Sequence, residues 1–258
     1  HISGYANRYN EMLRFLSKAG DRVKVLTVDQ ATPKNKQPKD RFGYKIQHTF
    51  GLSFPMYNEI SMSLDLPQAK GFRILRKMKP DIIHVSSPGF LPIPAMIYAR
   101  IMRIPLVMSY HTHVPMYVEK YFPRGIRSLT IGMIWVLLRW AHAKADLTLV
   151  TSPQMKAELE AHGIPRVDVW RKGVDSERFN PKFRSDEMRN RMTDGNPDDF
   201  LIVNVGRIGA EKRLKDVKPI LEKMGKNARL CIVGKGPHLP FLKKHFKGTN
   251  TVFTGLLT

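Results

Sequence analysis

The stretch VGRIGAEKRL, residues 205–214, combines two glycines with three cations at spacings that suit an oxyanion. It is not a P-loop, which needs GxxxxGK and then Ser or Thr, nor a GxGxxG dinucleotide turn; Gly206 and Gly209 supply neither. The chemistry it offers is still that of phosphate. Arg207 can fork onto two phosphate oxygens, Lys212 adds a point charge, and amides near Gly209 add donors. The same ten residues would serve equally as a solvated basic loop around a glycine turn. A second glycine pair, Gly234 and Gly236 in VGKGP, has the form GxG and is weak without partners. HTH, residues 111–113, places two histidines two apart with no nearby cysteine or carboxylate, a poor metal signature.

These motifs need elements to hold them, and the apolar periodicity provides a repeating set. Residues 1–19 read as an amphipathic helix with Tyr5, Tyr9, Leu13 and Leu16 on one face, ended by Gly20 and followed by the strand VKVLTV. A polar loop, 31–43, leads to the strand YKIQH and to ISMSLDL. The basic helix GFRILRKMK stops at Pro80, and PDIIHVSS is a short, continuously apolar strand of the buried parallel kind. A helix from Leu91 to Met102, the strand PLVMSY, an apolar core helix over 126–145 and the strand DLTLV come next. Ser152 caps a further helix that Pro153 opens and Gly163 ends, before the strand VDVW.

Residues 175–199 are polar, charged and aperiodic, which predicts a domain boundary; the expected domains are 1–195 and 196–258. Strand and helix then alternate again through FLIVNVG, a helix around LKDVKPILEKMG, ARLCIVG, a helix near Pro237 and NTVFTG. Pro219 inside that first helix predicts a kink or a late start. Helices recurring between short apolar strands mean βαβ units, so both domains are α/β with parallel sheets. VGRIGAEK then lies between a strand and the next helix, where strand ends and helix N-termini face a ligand crevice. Ser86, Ser87 and Gly89 end a parallel strand on the crevice side of the first domain, the favoured reading, though the same residues would also make a plain strand-to-helix turn.

Composition limits the choices. The chain has 43 Lys and Arg against 22 Asp and Glu, a net charge of +21, and 42% hydrophobic residues. An anionic partner is expected, and phosphates, anionic lipid and nucleic acid all meet that requirement. The cations are distributed over the whole chain, and there is no recognition-helix, RRM, KH or zinc-finger pattern, so the expectation is no nucleic acid. No run reaches the roughly 20 uncharged apolar residues of a membrane span. The single cysteine, Cys231 in LCIV, reads as a small buried side chain, so no intrachain disulfide is expected.

In that order and spacing, PDIIHVSSPG, PLVMSYHTH, KGVDSERFNP, VGRIGAEK and CIVGKGP resemble the family 4 glycosyltransferases. SSPG, MSYHTHVP, WRKGVDSERFNP and FRSDEMR are similar, more narrowly, to the plant and algal sulfoquinovosyltransferases, and the likeness runs over essentially the whole chain. The resemblance implies a GT-B architecture: two Rossmann-like domains facing across a cleft, the second incomplete. It also implies a retaining hexosyltransferase that moves sulfoquinovose from a UDP-sulfoquinovose donor to diacylglycerol. The alternatives are a lipid glycosyltransferase of the same family using UDP-glucose or another nucleotide sugar, and a non-enzymatic basic binding protein.

By resemblance, Arg207, Lys212 and Gly206 bind the donor diphosphate, and His111 sits beside the reacting sugar as a hydrogen-bonding catalytic residue. His113 is assigned to structure or to the acceptor. Weaker donor or cleft candidates are Gly4, Tyr5, Ser87, Gly89, Lys172, Gly234 and Gly236. Lys172, beside Arg171, stands where many relatives have Asn in an NGVD turn, and a sulfonated sugar would suit the extra cation. No metal is expected, in keeping with the absence of any Asp-x-Asp pair, and no cofactor beyond the UDP-sugar. Peripheral contact with anionic membrane lipid is expected through Arg73, Arg76, Lys77 and Lys79 and the loop Lys34 to Arg41, though such runs are commonly solvated faces. The chloroplast envelope or thylakoid follows from resemblance alone. The first strand, its glycine-rich turn and the later Glu-x7-Glu segment of the family are not in these 258 residues. The expectation is therefore an inactive piece, with a hydrophobic sheet edge near Leu257, of a larger active enzyme.

Overall fold

The computed structural model describes the backbone of residues 4–30, 32–54, 57–171 and 173–257, and their side chains apart from those of residues 4, 5, 53, 54, 57–61, 120 and 121. The chain divides into two compact units, residues 1–173 and 174–258. The division falls at the start of the polar stretch 175–199, whereas the sequence reading put it near the end.

The first unit opens with α1 (Gly4–Ala19), then β1 (Val25–Thr27), β2 (Asp40–Arg41), β3 (Tyr44–His48), β4 (Leu52–Phe54) and β5 (Tyr57–Met62). β1 runs parallel to β3, β2 pairs with β3 antiparallel, and β4 and β5 form a hairpin. It continues with α2 (Lys70–Met78), β6 (Ile83–Ser87), α3 (Pro92–Met102), β7 (Leu106–Tyr110), α4 (Val114–Tyr121), α5 (Arg124–His142), β8 (Leu147–Val150), α6 (Pro153–Ala161) and β9 (Val167–Val169). Strands β6, β7, β8 and β9 form a parallel sheet in chain order. Each crossover carries a helix back over the sheet, as parallel pairing requires. All five residues of β7 are buried, which accounts for the unbroken apolar reading of PLVMSY. One core, built on Met96, Leu106 and Met108, packs against α3; a second, on Tyr110, Leu138, Leu159 and Val167, packs under α5 and α6. Ser152 caps α6 as expected, its Oγ accepting from the Met155 amide at 3.2 Å.

The expected core helix over 126–145 is realised differently. Its predicted apolar residues do form α5, but only Leu138 and His142 are buried. Ile134 and Trp135 pack against the second core, while Ile126, Leu129, Met133, Val136, Leu137 and Trp140 are solvent-exposed, Leu129 to 77%. The helix is apolar on both sides, and the sheet can cover only one of them.

The second unit contains α7 (Asp186–Met192), β10 (Phe200–Val205), α8 (Lys218–Met224), β11 (Ala228–Val233), α9 (Leu239–His245) and β12 (Thr251–Gly255). β10, β11 and β12 are parallel, β11 central, with Val203 opposite Cys231 and Cys231 opposite Val252. β12 is an edge strand, and Leu257 follows it. Cys231 is fully buried, as its setting in LCIV implied. The helix expected around LKDVKPILEKMG starts late: residues 214–217 form a 3-10 turn and α8 begins at Lys218. Pro219 is the reason. It lies in the first turn of α8, where its missing N–H leaves no intrahelical bond unmade, whereas an earlier start would have placed it in the interior.

Candidate functional site

In the first unit, the chemistry-bearing side chains gather at the C-terminal side of the β6–β9 sheet, the side on which open α/β sheets bind ligands. His111 directly follows β7, and its amide donates to the Ser87 carbonyl at 3.1 Å, tying the ends of β6 and β7 together. Its ring sits edge-on to Tyr9 of α1 at 5.5 Å and tilted against Trp170 at 5.9 Å. His84 of β6 shares both neighbours: its Nε2 lies 3.4 Å from the Tyr9 hydroxyl, its ring is 5.5 Å from Trp170, and it is hydrogen-bonded to Ser109. The Arg8 guanidinium stacks 4.1 Å from the Trp170 ring and donates to that residue's carbonyl.

Burial, reinforced by the Arg8 charge and by His84, lowers the His111 pKa to about 4. Burial alone does the same to His84. At neutral pH, His111 is therefore an uncharged imidazole in an aromatic enclosure. It can give or accept a hydrogen bond, but it holds no ionisable proton to act as a strong acid.

The neighbouring predicted residues divide between the site and its support. Ser87 is buried, and its Oγ lies 3.0 Å from His142 Nε2, with His142 Nδ1 3.0 Å from Thr148 Oγ1. Its hydroxyl thus locks the end of β6 to α5 and β8. Burial holds His142 neutral, near 4. Gly89 lies exposed in the turn between β6 and α3, where a Cβ would only touch Pro92 Cδ at 4.0 Å. His113 caps α4: Nδ1 accepts from the Met116 amide at 3.0 Å, which fixes the proton on Nε2, and Nε2 donates to Glu158 at 2.8 Å. Both of its nitrogens are engaged within the protein, the structural role that the sequence reading had weighed for it.

In the second unit, Gly206 to Lys212 follow β10. Arg207 and Lys212 are exposed, and neither makes an ion pair among the described residues. Residues 210–212 are a 3-10 turn, so the motif runs into two short turns before α8 instead of entering a helix directly. The helix N-terminus that the sequence reading placed beside the cations is thereby displaced to Lys218. Gly234 and Gly236 acquire a definite role. A Cβ on Gly234 would lie 2.0 Å from the Gly206 carbonyl oxygen, and one on Gly236 would lie 2.1 Å from that of Ile208. Gly234 also has φ +136°, a conformation that side chains resist. Backbone contact replaces side chains here: the Gly206 amide donates to Val233 and the Ile208 amide to Lys235, each at 3.0 Å. The second glycine pair thus supports the turn that carries the cations.

Gly4 begins α1, while the side chain of Tyr5 and the whole of Lys172 lie outside the described residues. Arg73, Arg76, Lys77 and Lys79 on and after α2, and Lys34 to Arg41 apart from half-buried Gln37, are exposed. Sequence reasoning missed Arg8, His84 and Trp170, and took Tyr9 only as a face residue of α1. Each is remote in sequence from His111, and no short spacing announces a cluster that only the parallel sheet assembles. Grooves within each unit lie elsewhere: one of about 520 Å³ is lined by Trp135, Arg139 and His162, and one of about 850 Å³ by Phe183, Met188 and Leu201.

A parallel α/β sheet with a neutral histidine at its strand ends, and a second unit carrying a glycine turn with free cations, define a class that comparison with known proteins identifies. Residues 2–178 match the model of Glycosyltransferase Family 4, and the chain belongs to that family. A sulfoquinovosyl transferase of Arabidopsis thaliana is 40% identical over all of this chain and 49% of its own length. A GDP-mannose-dependent alpha-mannosyltransferase of Mycobacterium tuberculosis is 30% identical over 91% of this chain and 60% of its own length. The crystal structure of Anabaena HepE in complex with UDP-glucose shares the fold, with a TM-score of 0.66 and 16% identity over all of this chain and 67% of that one. The chain spans about half to three fifths of the length of these curated relatives.

Proposed function

We propose that the protein to which this chain belongs transfers sulfoquinovose from UDP-sulfoquinovose to diacylglycerol, with retention of anomeric configuration and without a metal. The observation that carries this reading is the 40% identity, over the entire chain, to the sulfoquinovosyl transferase. The UDP-glucose complex of a protein with the same fold supports a nucleotide-sugar donor. The chloroplast envelope or thylakoid is the proposed location, with the protein at the membrane because its acceptor is a lipid.

In this reaction, the bond from the sugar C1 to the diphosphate oxygen breaks, and a bond from C1 to the acceptor oxygen forms on the same face. The acceptor proton passes to the leaving phosphate, so no side chain is needed as general base. Negative charge collects on the diphosphate as its bond lengthens. Arg207 and Lys212, exposed and without an ion pair among the described residues, stabilise it in this reading, with Gly206 leaving the backbone accessible. Neutral His111 hydrogen-bonds the sugar without adding a positive charge beside an incipient oxocarbenium ion. Lys172, with Arg171, contributes the cation that a sulfonate calls for.

The second reading is a lipid glycosyltransferase with another donor, which the similarity to the GDP-mannose-dependent enzyme favours. The test uses the whole protein with diacylglycerol vesicles, offering UDP-sulfoquinovose, UDP-glucose or GDP-mannose with and without chelator. Chelator-resistant product from the sulfonated donor alone supports the proposal; product from another donor replaces it with the second reading. Equal preference for the sulfonated donor in Lys172→Asn removes the assignment of that lysine.

A further inference from the structure

We infer that the outer face of α5 lies in the interfacial region of an anionic lipid bilayer and forms the first unit's membrane contact. The inference deepens the proposed function and rests on its lipid acceptor. Ile126, Leu129, Met133, Val136, Leu137 and Trp140 recur at intervals of three, four and one. At 3.6 residues per turn, that spacing confines them to a stripe about 100° wide. The stripe lies opposite Ile134, Trp135 and Leu138, which hold the helix on the core. Met116 and Phe122, at the two ends of α4, are exposed as well. A solvent-facing stripe of this extent on a helix already anchored by its other side marks an interaction surface.

The charge around the stripe selects its occupant. No Asp or Glu occurs between Glu119 and Asp146, whereas Arg124, Arg127, Arg139 and Lys144 do. None of these four makes an ion pair among the described residues. Lys144 places its ammonium 4.3 Å from the centre of the Trp140 ring and donates to the Trp140 carbonyl at 3.1 Å. An apolar stripe on a helix whose only charged residues are cations, with a tryptophan at one end, has the composition of a helix lying in a headgroup region. A second copy of the chain would bring these same cations against each other. No helix among the described residues is long and apolar enough to cross a membrane, so α5 lies on the surface. This places the contact on α5, away from the basic segments of α2 and Lys34 to Arg41 that charge alone had suggested.

The test is cosedimentation of the chain with vesicles of two parts phosphatidylcholine to one part phosphatidylglycerol, and with phosphatidylcholine alone. The expectation is binding that needs the anionic lipid, and a fall in partitioning of about tenfold or more in Leu129→Glu/Met133→Glu/Leu137→Glu. The milder Leu129→Gln/Leu137→Gln should fall in the same direction, with circular dichroism and thermal unfolding unchanged because both side chains face solvent. An environment-sensitive label on Leu129→Cys should shift on binding, and one on Lys77→Cys should not. Unchanged partitioning in the glutamate variant overturns the inference. So does abolition of binding by Arg73→Ser/Arg76→Ser/Lys77→Ser with the stripe intact, which puts the contact on α2. Self-association that only the stripe variant abolishes would assign the face to a second copy.

The catalytic proposal fails separately. In the whole protein, absence of transfer to diacylglycerol in detergent micelles rejects that reading whatever the vesicles show. Normal transfer in micelles that is lost on vesicles in the glutamate variant supports the membrane contact.

Discussion

The two strand-end turns at the centre of the proposed reaction, after β7 and after β10, achieve opposite electrostatic ends by opposite means. After β7, His111 is enclosed by Tyr9, Trp170 and His84, and enclosure removes its charge. After β10, Arg207 and Lys212 stand exposed to solvent, and the precision lies in the backbone below them, where Gly234 and Gly236 meet the turn without side chains. A neutral hydrogen-bonding group needs a packed environment; a phosphate site needs cations free of carboxylates on a rigid support.

The sharpest way to break this comparison is to remove a cation. In the whole protein, Arg207→Ala should lower kcat/KM by roughly 10²–10³ through loss of transition-state charge stabilisation, with thermal unfolding unchanged; a purely structural loop would give the reverse pattern. Gly234→Ala should destabilise the second unit by about 2–3 kcal/mol, read from chemical denaturation, because its Cβ meets a carbonyl oxygen in a backbone region that side chains avoid.

Acid should act on the first unit through its three buried histidines. His84, His111 and His142 have folded pKa values near 4, below the unfolded value, so the unfolded chain binds more protons in between. Their contribution to stability is complete above the unfolded pKa of about 6.5 and is lost progressively as pH falls towards 4, by about 1–2 kcal/mol for a well-buried histidine near pH 5. Denaturation midpoints of the first unit across that range check the slope, while the rate should show no inflection near 6.5 attributable to His111. The smallest effect belongs to Ser87→Ala, expected to cost about 1–2 kcal/mol by leaving His142 short of a partner, with little change in KM.

The order of strands and helices was legible because short apolar strands such as PLVMSY and ARLCIV leave few alternatives once helices separate them. Arg207, Lys212 and His111 were readable because they follow such strands directly. What the sequence did not disclose was long-range or two-sided. The ring cluster joins residues from α1, β6 and the end of β9, which share no spacing. Asp65 is another example: fully buried, it accepts from Thr49, the amides of Lys70 and Gly71, and Tyr98, a hub that ISMSLDL did not suggest. On α5, periodicity correctly predicted an apolar helix, but a helix apolar all round does not reveal which side the sheet covers. The weak GxG of VGKGP proved informative for clearance, a property visible only once the opposing turn is in place.

That backbone contact also has a consequence for exchange. The amides of Gly206 and Ile208 donate across to residues 233 and 235, and the amide of Gly234 donates to Gly255 at the end of β12. Opening the turn enough for deuterium to enter at 206 or 208 therefore strains the link to 255. A diphosphate held at Arg207 should slow exchange at 234 as well as at 206 and 208, so that β12, which contributes no side chain to the site, reports its occupancy.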